Sequence, residues 1–158
     1  MPDLPLHPAF VHLPLALAAV VPCLALVLLI SWRCGWLPQR SLWLAVGLQV
    51  VLIASAFAAL RSGEAEEETA ETVLSHEAIE AHEEAAERFV WVSVPVLVLL
   101  GLSGGLRRAT VAQGCLALAC LAAMAAFALA WKTGELGAKL VYQHGAAAPY
   151  VQQAASSK

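Results

Sequence analysis

The chain has 158 residues, 60% of them hydrophobic and 13% charged, with a formal net charge of −3 and a mean hydropathy of +0.72. Soluble domains carry charge on roughly a quarter of their residues, so this composition excludes an ordinary water-soluble globule. The slight acidity excludes an electrostatic grip on nucleic acid. The expectation is an all-α polytopic membrane protein, a four-transmembrane-helix bundle with an acidic extramembrane helix before the third span.

The first predicted element opens with LHPAFVHLPLAL (6–17) and crosses from about 8 to 32. About 20 apolar residues span the hydrocarbon core. Asp3 is the one charged side chain before Arg33. Without a basic n-region or a small-residue cleavage site, the segment reads as a retained helix and not as a signal peptide. The second span covers about 41–60, the third about 88–106 and the fourth about 110–131. None carries a charge in its interior, and backbone polar groups in lipid must be satisfied within the segment, which favours helix.

Between the second and third spans, EAEEETAETVLSHEAIEAHEEAAE (64–87) contains no Gly or Pro. It is predicted as one helix starting just after Gly63 and running on into the third span. At 100° per residue its Leu74, Ile79, His82, Ala86 and Phe89 form a mostly apolar stripe, while His76, Glu80, Glu83 and Glu87 form a polar ridge. Beyond the fourth span, Gly134 is predicted as a helix stop. Residues 1–146 read as the membrane domain and 147–158 as a flexible tail. No internal repeat is evident along the chain.

The two tight loops hold Arg33, Arg40, Arg107 and Arg108 and no acid, while the opposite side holds all twelve acids along with five basic residues. The positive-inside rule makes the arginine loops cytoplasmic. Both termini and the acidic helix then face outward. Trp32, Trp36 and Trp43 suit an interfacial belt on one side, Trp131 and Tyr142 on the other. The four cysteines, Cys23, Cys34, Cys115 and Cys120, have neither zinc-finger nor CxxC spacing.

All five histidines fall on the outer side. Neutral imidazole is the commonest protein ligand for transition metals and also an axial ligand of haem iron, and helical bundles build such sites from facing helices. His12, inside the first helix, and His82, on the apolar stripe, are the best candidate pair for holding a cofactor. His7 and His144 are further candidates. His76 and Glu80 are candidate metal ligands, although His76 lies about 120° around the helix from His82 and cannot share one ion with it from a straight helix. HEAIEAH is not a zincin motif, because its histidines are six residues apart and do not share a face. No nucleophile, oxyanion hole or triad is identified, so no catalytic constellation is assigned.

HPAFVHLPLAL at the start and TGELGAKLVYQHG near the end resemble the two signatures of the bacterial integral membrane proteins grouped as domain of unknown function 2231. The resemblance covers roughly residues 6–146. His7, Pro8, His12, Pro14, Gly134, Gly137, Tyr142, His144 and Gly145 match its motifs, and His82 matches less rigidly. Members usually carry Gly-Gly where this chain has Gly137-Ala138. Many have an acidic residue just after the second span, where this chain has Arg61 and then Glu64. The resemblance implies a bacterial inner (cytoplasmic) membrane location, and an architecture related to small four-helix membrane cytochromes b.

The function expected from these residues is a membrane-embedded redox or metal-binding module. Its outer histidines would hold b-type haem, or alternatively a copper or zinc ion. With haem it would be an electron-transfer subunit serving a periplasmic redox partner or another membrane protein. The other reading is a non-enzymatic membrane scaffold that docks a partner or a second copy of itself, with no cofactor and purely structural histidines.

Overall fold

A computed structural model describes residues 6–156. Among these residues the chain forms helices and no strand. In order they are α1 (His7–Phe10), α2 (His12–Arg33), a 3-10 turn at Gln39–Leu42, α3 (Trp43–Glu64), α4 (Glu67–Glu71), α5 (His76–Gly105), α6 (Ala109–Tyr142) and α7 (Ala148–Ser156). Four stretches are long and apolar enough to cross a membrane: His7–Arg33, Gln39–Glu64, His76–Gly105 and Ala109–Tyr142. The expected all-helical, four-span architecture is the observed one. Within α5 the continuous apolar run begins after Arg88, and the turns before it carry the acidic residues.

Each span is apolar all round. Between 28% and 33% of its most hydrophobic window is buried inside the protein, whereas a soluble helix concentrates apolar residues on one stripe. Leu26, Val27, Phe57, Leu118 and Leu121 point outward and suit contact with lipid tails. The inward stripes are built from small residues: α6 buries Ala112, Ala119, Ala123, Ala126 and Ala130. With no hydrophobic drive between helices in lipid, close van der Waals approach and interhelical hydrogen bonds do the holding. One such bond is buried at mid-bundle, where Gln49 Nε2 donates to the Ser93 carbonyl at 2.9 Å.

Each span packs against the next in the chain, and the first against the fourth. The turns at the arginine end are short and locally satisfied. Cys34 is the cap of α2 and Gly35 takes a left-handed φ of +73°. The Trp36 N–H returns to the Ser31 carbonyl and the Gly35 N–H to the Trp32 carbonyl, a Schellman closure. The carbonyls of Ser103 and Leu106, at the end of α5, accept from Gln39 Nε2 at 2.8 and 2.9 Å.

Three expectations need correction. The acidic segment 64–87 is not one helix. α3 continues through Gly63 to Glu64, α4 is a separate short helix, and α5 begins at His76 after Ser75 in extended geometry (φ −74°, ψ 141°). The chain must reverse direction here to pack the third span against the second, which one unbroken helix from Glu64 into that span cannot do. Gly134 does not stop the last span, since α6 runs on through Gly134 and Gly137 to Tyr142. The expected flexible tail contains α7 over Ala148–Ser156, and its last two residues lie outside the described ones.

A repeated burial register also emerges. Pro14, Ala18, Val21, Ala25 and Leu28 are buried in α2. Phe89, Ser93, Val96, Leu100 and Ser103, each 75 residues on, are buried in α5. Leu42, Ala45, Gln49, Leu52 and Ala56 are likewise buried, and so are Leu116, Ala119, Ala123, Ala126 and Ala130, 74 residues on. Four of the ten pairs keep the same residue, Val21/Val96, Leu42/Leu116, Ala45/Ala119 and Ala56/Ala130, but these are common apolar types that do not mark a repeat in so apolar a sequence.

Candidate functional site

His7 and His82 meet at the acidic end of the bundle. Their ring centres are 6.1 Å apart and their planes stand at 88°. His7 opens α1 and His82 lies two turns into α5, so the first and third spans, opposite each other in the bundle, each supply one ring.

Each ring is held by its neighbouring helix through the same nitrogen. His7 Nδ1 donates to the Ala59 carbonyl of α3 at 2.9 Å. Ser62 Oγ stands 3.2 Å from the same nitrogen and sends its own proton to the Ala59 carbonyl at 2.7 Å. His82 Nδ1 donates to the Thr133 carbonyl of α6 at 3.1 Å. A carbonyl only accepts, so the proton sits on Nδ1 in both rings, and in the neutral form the free lone pair is on Nε2. Hydrogen bonding of one ring nitrogen to a backbone carbonyl is how proteins orient a metal-ligating histidine.

A glycine faces each ring one turn beyond the accepting carbonyl. A Cβ on Gly63 would lie 3.3 Å from His7 Cε1, and one on Gly137 would lie 3.1 Å from His82 Cε1. An added Cβ at either position would press on the ring, which would have to give by a few tenths of an ångström. The start of the first span is pinned from a distance: Glu66 Oε1 accepts the backbone N–H groups of Leu6 at 2.7 Å and His7 at 3.1 Å. A carboxylate there satisfies orphan donors of the first turn and suits the positive end of the helix.

Burial, followed by the nearby His7, pushes the His82 imidazole below the ordinary histidine range, against the upward pull of the Thr133 carbonyl. The neutral, ligand-competent form is therefore favoured. Glu83, next along the helix, is pushed up by partial burial and by Glu67, Glu64 and Glu87, with His76 pulling the other way.

The remaining candidates are not gathered here. His12, expected to pair with His82, is exposed in α2, and the ring that stands beside His82 is that of His7. Five residues of helix turn a side chain about 140°, so with His7 aimed inward His12 is aimed away. His76 is exposed, its Nδ1 3.8 Å from Glu71 Oε1. Glu80 is exposed one turn further along α5, and His144 is exposed in the turn after α6. Among the described residues no three His, Cys, Asp or Glu side chains are grouped as a metal site would need. Ala59, Ser62, Gly63 and Glu66 were absent from the sequence-level candidates. The spacing of Gly63 from His7, nearly that of Gly137 from His82, is the signal that would have found the clamp.

Comparison with known proteins places the chain by family. Residues 3–149 match the family described as predicted membrane protein (DUF2231), and the chain belongs to it. No curated protein matches it, and no solved structure does.

Proposed function

We propose that this DUF2231 protein is a membrane-embedded redox module that binds one b-type haem between His7 and His82. The observation that carries this reading is the pair of Nδ1-anchored imidazoles with ring centres 6.1 Å apart. Metal–nitrogen bonds of about 2 Å, plus about 1 Å from each nitrogen to its ring centre, separate two axial imidazoles by roughly 6 Å. Haem brings its own equatorial nitrogens and asks the protein for axial ligands only. A structural zinc ion takes four protein ligands, more than this pair supplies, so copper and zinc are the weaker alternatives.

The chain's own residues perform the binding. The Ala59 and Thr133 carbonyls fix the tautomer and raise the basicity of each Nε2. Gly63 and Gly137 leave the rings room, and Glu66 holds the turn that carries His7. A bound haem would supply one-electron ferric–ferrous exchange. The arginine loops are assigned to the cytoplasmic side of a bacterial inner membrane, which puts the site toward the periplasm and within reach of a soluble or membrane-bound redox partner.

The test is the visible spectrum of protein purified from a haem-replete host, oxidised and dithionite-reduced. A Soret band and a sharp reduced α band are expected. His7→Ala and His82→Ala each abolish the six-coordinate spectrum, and His12→Ala leaves it intact. A colourless wild-type protein, or loss of colour with His12→Ala alone, overturns the reading in favour of structural histidines in a scaffold.

A further inference from the structure

The two histidine clamps are the same construction twice. His7 reaches a carbonyl 52 residues on and His82 a carbonyl 51 residues on. In each case the glycine that faces the ring follows that carbonyl by four residues, one helical turn. His82 stands 75 residues after His7, and Thr133 and Gly137 stand 74 after Ala59 and Gly63. The buried stripes of the four spans repeat at these same offsets. Burial alone would not fix the offset, because core positions three and four apart match again at every shift of seven. A histidine repeated at 75, with its carbonyl and its glycine both repeated at 74, does fix it to within one residue.

The packing agrees. The contact of the first span with the fourth is carried by this shift onto the contact of the third with the second, and both pairs of facing helices occur. The first and third spans run in the same direction, so the relation is a parallel repeat about an axis along the bundle.

We infer that the chain carries two copies of one helix-pair unit, residues 6–64 and 81–138, related by a pseudo-two-fold axis along the bundle. His7 and His82 are then one ligand position present twice, with Gly63 and Gly137 as paired positioning residues. The site takes a single ligand gripped on two equivalent faces. As a statement about haem this rests on the function proposed above; as a statement about the clamps it does not.

The test is 15N NMR of the imidazoles in the full-length protein in detergent, first without ligand and then loaded with haem. In the ligand-free wild type both His7 and His82 carry their proton on Nδ1, a measurement that requires no variant. Gly63→Ala then disturbs the His7 ring and Gly137→Ala the His82 ring. In the loaded protein each substitution lowers haem affinity by a similar factor, about 10- to 100-fold, as for other groups that orient a ligand. Gly47→Ala and Gly114→Ala, where an added Cβ meets nothing within 4 Å, leave both readouts unchanged. Different tautomers in the two rings, or a silent Gly→Ala at one position beside a damaging one at the other, overturn the inference. A wild type that takes up no haem removes the haem reading while the tautomers still decide the repeat.

Discussion

At the scale of single residues, the angle between the two rings is the most exacting feature of the site. The planes of His7 and His82 are nearly perpendicular, at 88°, and each is fixed by a backbone carbonyl that cannot rotate. If the proposed haem is held by these two rings in this arrangement, the ferric form of the loaded protein is expected to show a low-spin EPR signal dominated by one low-field, large-g feature, the mark of perpendicular imidazole planes. A three-line rhombic spectrum would mean that the rings turn parallel on binding. His7 was a candidate in the sequence, but its role was not legible there. Its inward aim comes from helical phase and from Glu66, a residue 59 positions away, and nothing local in HPAFVH distinguishes it from His12.

At the scale of elements, the spans themselves were legible because continuous apolar length is a strong signal. The ends were less so. Gly134 and Gly137 look like helix stops, yet both sit inside α6, since a glycine tolerated for close approach reads the same as one that terminates. Their use is tertiary: Gly134 lies against Leu15 and Gly137 against His82. The repeat was hidden for a related reason, because many symmetry-equivalent positions hold different residues. Gln49 and Ser93 tie α3 to α5. Ala123 and Ala18, their counterparts in α6 and α2, offer no such bond. Replacing Gln49 with Leu is expected to destabilise the bundle by about 1 kcal/mol, the size of an interhelical hydrogen bond in a membrane, and the loss is measurable as earlier unfolding in a denaturing-detergent titration. Unchanged unfolding would show that the bond adds nothing net.

At the scale of the whole molecule, charge divides the two ends, with arginines in the short turns and glutamates around the histidine pair. The orientation proposed above, with the arginine turns on the cytoplasmic side of an inner membrane, is testable with a native residue. Cys34 is exposed in the turn after α2. A membrane-impermeant maleimide is expected to label it in inverted inner-membrane vesicles but not in intact spheroplasts, with Cys34→Ser as the control. The opposite pattern would place the histidines on the cytoplasmic side. An asymmetry of the bundle accompanies this one: an apolar groove of about 500 Å³ runs beside α2 and α6, lined in part by Ala16, Ala19, Trp131 and Gly134. Trp91 and Val94, the counterparts of Ala16 and Ala19, are bulkier.

The depth of the imidazole pair has a consequence for electrical wiring. The two rings belong to the first turn of one span and to the acidic turns of another, while the hydrocarbon to be crossed is about 30 Å thick. Any charge carrier lodged there is shallow, close to one aqueous compartment and separated from the other by nearly the full insulating layer. On the function proposed above, such a chain would work as a terminal on one surface, and moving electrons from one side of the bilayer to the other would fall to a second protein.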